Sequence, residues 1–361
     1  MKDIRMILPN MASDTAGAAA MLFALDGLTV IHDAAGSMES FITFDEARDL
    51  EGKRTVASRL SRLEAITGDD GILLGKLEQE CEGEKPPFIA ILGSPVPFTI
   101  GTDLDGIAAE AQWSTGVPSF GVNSGGFALY DKGAGEALKK VIEKTVSPKP
   151  KKRGRVNLLG ASPMDYSPAE LEGIQKNLLD RGATEVYTLT CAKGMEELEL
   201  TAQAEYNLVI SLSGLPAARY MKEKFCTDYA IGVPVSGLDS WPGEMTGWRV
   251  LVLGEAVLTK QLVQAMENAG IRAVAGITAN DDPEIFPQVN AVRLDTEEKI
   301  RLELEKEYDL IVGDPLYRLL LPSEAKGKFV IRPHRALSGR LYPPEENTLE
   351  KMMIKMKEGL L

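Results

Sequence analysis

The stretch from 155 to 236 restricts the fold more than any other part of the chain. "RVNLLG" is a short, unbroken apolar run closed by a glycine, which reads as a strand buried on both faces. "SPAELEGIQKNLLDRG" then carries helix signals at both ends. Ser167 is placed as N-cap with Glu170 three residues on, Pro168 takes the first helical position, and Gly182 closes the end. Leu171, Ile174 and Leu178 form one apolar stripe between them. The alternation continues through "TEVYTL" (strand), "GMEELELTAQA" (helix), "NLVISLS" (strand), "LPAARYMKEKF" (helix) and "YAIGVPV" (strand). Strands that are apolar throughout and separated by helices pair in parallel, with helices covering both faces.

The pattern restarts after a Gly-, Ser- and Pro-rich link, "SGLDSWPGEMTG" at 236–247. "WRVLVLGEAVLTKQLVQAMENAGIRAVAG", "NAVRL", the charged helix "TEEKIRLELEKEY", "DLIVGD" and "KFVIRP" make up this further unit. The first 145 residues read as another, with a small-residue helix near 14–25, strands in "LTVIH", "FIAILGS" and "VPSFGVN", and helices near 103–115 and 134–146. "SPKPKKRG" is its exit linker. The expectation is therefore an α/β chain of three domains, 1–148, 149–245 and 246–361, each a parallel sheet flanked by helices around a central cleft.

Composition narrows the function. With 44% hydrophobic and 26% charged residues and no run of ~20 apolar residues, the chain should not span a membrane. Asp3 and Arg5, followed by Pro9 and Asn10, do not suit a secretory signal, so the expected location is cytoplasmic. A net charge of -13 repels a phosphate backbone, and "KPKKRGR" at 149–155 is a single local exception, so no nucleic-acid partner is expected. Cys81, Cys191 and Cys226 stand far apart with no CxxC or Cys/His pairing, which indicates neither a disulfide framework nor a zinc site.

Ligands of such sheets bind beyond the carboxyl ends of strands. Four loops there stand out: "HDAAGS", "GSPVPFTIGTD", "SLSG" and "RPHRALSG". None is a specific catalytic motif alone. Gly36, Gly101, Gly125 and Gly126 lie in turns where positive φ or close backbone approach is expected. His32 and His334 are the only histidines, both at strand ends, and each is weighed as a ligand or as an ordinary hydrogen-bonding residue. Arg332, Arg335 and Arg340 would suit the carboxylates of a tetrapyrrole or organic acid, or form a solvated basic patch.

At these loops the chain resembles the nitrogenase component 1 family. His32, Gly36 and Ser37 stand in the first, fifth and sixth places of its H-G-P-x-G-C pattern. "DDGILLGKLEQ" is similar to its D-x-V-F-G-G-x-x-x-L segment, "TIGTDLDGIAAE" to its I-G-D-D-[IL]-x-A-V loop, and "VPSFGVNSGGFALYDKGAGEAL" to its V-P-V-x-x-x-G-F-x-G-x-x-x-G segment. The resemblance implies electrons received from an ATP-dependent iron protein through an iron–sulfur cluster shared between two component 1 subunits. The cluster's ligands are thiolates. Here Ser37 stands in the first cysteine's place and Ser94 or Pro95 in the second's, with no cysteine between 37 and 81. Ser37 and Asp33 offer oxygen ligands instead, so a cluster is implied only if a sister subunit in a hetero-oligomer supplies most of the thiolates; a homo- or hetero-oligomer with a component 1-like subunit is the expected assembly. The resemblance also places a cofactor-ligating cysteine near Ser211 and a histidine near His334.

Two functions remain open. One is a nitrogenase-like oxidoreductase subunit beside a cysteine-bearing sister chain. The other is a binding or carrier protein for a metallocofactor, its precursor or another small ligand, without redox chemistry. The C-terminal helix carries Leu349, Met352, Met353 and Met356 on one apolar stripe, and the resemblance implies that it packs on the first domain or on a partner.

Overall fold

A computed structural model of the chain describes residues 6–23, 25–34, 54–191, 194–238, 240–339, 341 and 348–358. Gly36 and Ser37 lie outside the described residues, as does Arg340. Three parallel sheets succeed one another along the chain.

The first comprises β1 (Leu28–Ile31), β2 (Thr55–Ala57), β3 (Ile89–Leu92) and β4 (Ser119–Val122) in the order β2-β1-β3-β4. Helices α1 (Asp14–Phe23), α2 (Arg62–Thr67), α3 (Gly71–Glu80), α4 (Pro95–Ile100), α5 (Leu104–Thr115) and α6 (Tyr130–Thr145) accompany it. The second sheet, β5 (Lys152–Leu159), β6 (Glu185–Thr188), β7 (Ala204–Val209) and β8 (Asp228–Ile231), runs β6-β5-β7-β8. Its helices are α7 (Pro168–Asp180), α8 (Gly194–Leu200) and α9 (Leu215–Phe225). The third, β9 (Arg249–Gly254), β10 (Arg272–Ile277), β11 (Ala291–Arg293), β12 (Leu310–Gly313) and β13 (Lys328–Ile331), runs β11-β10-β9-β12-β13. It carries α10 (Ala256–Asn268), α11 (Glu297–Leu304), the short α12 (Arg335–Ser338) and the C-terminal α13 (Leu349–Glu358).

Each sheet reverses its strand order once, between β1 and β3, between β5 and β7, and between β9 and β12. A reversal sends the two connections to opposite faces and leaves a crevice at the carboxyl ends of that strand pair. Three crevices are thereby built into the topology.

Local signals explain why α7 forms where it does. Ser167 accepts from the Glu170 N–H while the Glu170 carboxylate accepts from the Ser167 N–H, and Leu171, Ile174 and Leu178 are buried on the face toward the second sheet. The basic run 149–155 is not a free linker throughout. β5 begins at Lys152, and Lys152 and Arg155 both pair with Glu185 on the neighbouring strand.

α1 and α6 approach at van der Waals limits because glycines face backbone at the crossing. A Cβ on Gly133 would lie 1.8 Å from the Asp14 carbonyl oxygen, and one on Gly17 2.0 Å from that of Tyr130. This contact fixes the start of α6, and with it Tyr130, against the first domain. The far side of α6 packs on α9 of the second domain. A core running from Ala18 and Leu92 through Leu138 and Met221 to Leu253 and Leu337 accordingly crosses all three sheets.

The C-terminal helix departs from expectation. Leu349, Met352, Met353 and Met356 are buried, but in a core with Val235, just past β8, and Val250 and Val330 of the third sheet, and α13 lies against β13. The apolar stripe was legible; its partner is this chain's own third domain rather than the first.

Candidate functional site

At the reversal of the first sheet, β1 delivers His32 and β3 delivers Ser94. The His32 N–H continues the ladder by donating to the Leu92 carbonyl at 2.9 Å, and its Nδ1 lies 3.0 Å from the Ser58 hydroxyl. The ring is 2% exposed, and burial lowers its pKa despite the nearby Asp70, Asp33 and Glu64 carboxylates. Asp33 is half-buried, with its carboxylate accepting from the Ala34 N–H at 2.7 Å. Ser94 is buried just ahead of α4, and its Oγ has no hydrogen-bond partner. Gly125 and Gly126 sit beside this turn: Gly126 has φ 75°, and a Cβ on Gly125 would meet Phe98 at 2.9 Å. Above Ser94 the surface is apolar, formed by Val96, Phe98, Ile100 and Phe127, with the Phe98 and Phe127 rings 5.7 Å apart.

At the reversal of the second sheet, Ser211 is fully buried. Its hydroxyl donates to the Gly160 carbonyl at 2.7 Å and lies 2.8 Å from Ser213 Oγ, tying the ends of β5 and β7 together.

The third crevice draws side chains from every domain. Tyr130 from α6 donates to Asp165 Oδ1 at 2.5 Å and lies 2.9 Å from His334 Nε2. His334 Nε2 is also 3.4 Å from Asp165 Oδ1. Asp165 belongs to the loop after β5, and His334 to the loop after β13, where Asp314 holds its N–H at 2.7 Å. Arg332 pairs with Glu170 at 2.9 Å and donates to the Asp165 carbonyl at 3.0 Å. Arg335 donates to the Pro163 carbonyl at 3.3 Å. Of the three predicted arginines, Arg332 and Arg335 are thus in place at the crevice, with donors engaged by the second domain.

Glu255 follows β9 directly and caps α10, and its Oε1 reaches across to accept the Leu212 N–H of the second domain at 2.8 Å. Burial, with the Asp165 carboxylate beside it, pushes its pKa up to about 8. Burial likewise raises Asp131 and Asp314 against their hydrogen bonds, and raises the Tyr130 phenol well above its ordinary value. Between Asp165, Glu255, Arg332 and His334 and the aliphatic wall of Val252 and Val312 lies a cavity of about 30 Å³.

The sequence-predicted residues therefore separate into two groups. His32, Asp33 and Ser94 meet at the first sheet, and His334, Arg332 and Arg335 meet at the third, while Ser211 serves the packing of the second. Sequence reasoning missed Tyr130, Asp165, Glu255 and Asp314. Three of these follow strands, in "LLGASPMD", "VLGE" and "IVGD", so the rule that singled out four loops would have found them had it been applied to every strand end.

The profile of the family described as "Nitrogenase component 1 type Oxidoreductase" matches residues 13–242, more than half of the 361. The chain belongs to this family. The nitrogenase component 1 fold extends past the matched segment. A solved structure titled "Nitrogenase Cp1 at pH 6.5" superposes with a TM-score of 0.76 at 13% identity, covering 99% of this chain and 93% of that one. A second, "Nitrogenase Cp1 at pH 5", gives 0.70 at 15% identity, covering 100% and 89%.

Nitrogenase-like proteins generally bind iron–sulfur clusters, whose ligands are thiolates, and the described donors at the first crevice are nitrogen and oxygen atoms. The described side chains at the first crevice offer a hydrogen-bonded imidazole, a carboxylate and a hydroxyl. Cys81 is buried at the end of α3, where burial pushes its thiol up, and Cys226 is exposed at the end of α9. Among the described residues no three His, Cys, Asp or Glu side chains converge as metal ligands. No described helix is long and apolar enough to cross a membrane.

Proposed function

We propose that the chain is a subunit of a nitrogenase-like oxidoreductase, paired with a cysteine-bearing component 1-like sister that supplies most of the cluster's thiolates. An ATP-dependent iron protein delivers the electrons, and the substrate is small or tetrapyrrole-like. The observation that carries this reading is the carboxyl end of the first sheet. There His32 and Ser94 are buried at the ends of the paired strands β1 and β3, and Phe98, 60% exposed, stands on α4 just after Ser94 with its ring 5.7 Å from that of Phe127, 73% exposed. Large apolar side chains left in solvent beside the end of a sheet suit burial against another subunit. Anaerobic co-purification with the products of neighbouring genes tests it. The expected result is a brown, iron- and sulfide-containing complex; a colourless protein that never associates with them contradicts it.

A second reading, a carrier without redox chemistry, is favoured by a groove of about 400 Å³ between α6, α9 and the loop after β10, lined by Lys132, Lys139, Leu215 and Arg219. That volume suits a small ligand. Thermal-shift titration with candidate cofactors should then show stabilisation of the isolated chain. Equally poor binding by as-isolated and chelator-treated protein counts against it.

A further inference from the structure

The junction where Tyr130, Asp165 and His334 meet is closed, with none of the three more than 7% exposed. Anything that reaches it must first move a wall. Two of its walls, the start of α6 and the short α12, are stitched together by the segment that precedes α1. The Ala12 N–H donates to the Ala336 carbonyl at 2.6 Å, and the Ala12 carbonyl accepts the Tyr130 N–H at 3.0 Å. One residue thus lies between the helix that carries Tyr130 and the helix that follows His334. Immediately after it, Ser13 forms an antiparallel bridge with Leu129, and the Asp14 N–H donates to the Ala128 carbonyl at 2.9 Å as α1 begins.

The other end of the segment is held by a side chain of the third domain. Glu297, at the first position of α11, accepts the N–H groups of Met6, Ile7 and Leu8 on its Oε2 at 3.1, 3.0 and 2.8 Å. Successive backbone donors that converge on one oxygen make a concavity suited to an anion. Between the two attachments Leu8 and Met11 are buried, whereas Met6, Ile7, Pro9 and Asn10 are exposed. A half-exposed segment fastened at its two ends opens at a lower free energy than the sheets it joins, because few buried apolar contacts hold it.

We propose that residues 6–12 are a strap, with Glu297 as its clasp and the Asp14 contact as its hinge, whose release parts α6 from α12 and admits small molecules to the junction while the three sheets stay folded. The stitch at Ala12 and the clasp at Glu297 act together, since a strap freed from Glu297 keeps only the Ala12 bonds to close the seam. The inference depends on neither reading above: it concerns how the junction is reached, not what the chain carries or which subunit it pairs with.

Two readouts on the full chain test it. Diethyl pyrocarbonate acylates accessible imidazoles, and the chain has two histidines, His334 at the junction and His32 at the end of the first sheet, both buried. Glu297→Ala should speed modification of His334 by about tenfold, the scale of losing hydrogen bonds to a charged acceptor, and leave His32 at its wild-type rate. An unchanged His334 rate would mean that the strap does not guard the junction, and an equal rise at both histidines would mean general loosening; either overturns the proposal. Amide hydrogen exchange of the wild-type chain needs no variant to fold. The amides of Ile7, Leu8, Ala12 and Tyr130 should exchange as one group, about tenfold or more faster than Val312 in the third sheet, with Asp14 remaining slow. Exchange of Ala12 and Tyr130 at the rate of Val312, or together with Asp14, contradicts it equally.

Discussion

Tyr130 joins three domains through one hydroxyl, and its value lies in leaving neither neighbour unpaired. Tyr130→Phe keeps the ring packing but strands Asp165 Oδ1 and His334 Nε2 in a site 7% or less exposed. Leaving buried polar groups unsatisfied costs about 1–3 kcal/mol, which denaturant unfolding should show as a lower midpoint at unchanged slope. Glu255 makes a different prediction, because its titration differs between states. In the folded chain it titrates at about 8, above the ~4.3 of an unfolded glutamate. The folded state therefore binds the extra proton throughout that window, and stability falls as pH rises from about 4.3 through about 8. Glu255→Gln removes this dependence, so the variant should gain on the wild type steadily as pH rises. Parallel stability–pH curves for the two proteins would sink the assignment.

At the scale of elements, α7 serves twice. Its capping box satisfies the first turn, and the same Glu170 carboxylate pairs with Arg332 of the third domain. The two roles separate by mutation. Ser167→Ala should cost about 1 kcal/mol, the usual loss of an N-cap. Glu170→Ala should cost more, about 3–5 kcal/mol, because Arg332 is then left as an unpaired, largely buried charge. Equilibrium unfolding of both variants gives the comparison, and equal losses would mean that the ion pair contributes nothing beyond the cap. α4 and α6 act through placement. α4 turns Phe98 toward solvent directly after Ser94, whereas α6 is pressed by Gly133 against α1 until Tyr130 reaches the third crevice.

For the whole molecule, the exposed aromatic face lies on the first domain alone and the closed junction where all three domains meet, and the two should respond independently. Phe98→Asp places a charge in the apolar surface while touching little of the fold, so the monomer's unfolding should change by less than about 0.5 kcal/mol. Sedimentation should nevertheless show weaker association with a component 1-like partner; unchanged association would move the interface elsewhere. Much of the architecture was legible beforehand because its signals are local. The N-cap at Ser167, the positive-φ Gly182 just past the C-cap Arg181, the eleven residues of α9 and the apolar runs of β5, β9 and β12 each act within a few residues of their own position. His32, Ser94, His334 and the two arginines were legible as strand-end residues for the same reason. What they face was not. Asp165 and His334 are 169 positions apart in number, and only the packing of the second sheet against the third brings them within 3.4 Å. The methionine stripe of α13 determined that a helix would be buried, while tertiary packing decided which domain would bury it. By itself the sequence determined the three parallel sheets and the missing thiolates, both matters of residue type and short-range pattern. The tertiary structure alone decided that the crevice at their junction closes around Tyr130, Asp165 and His334, because that closure depends on how far apart the sheets come to rest.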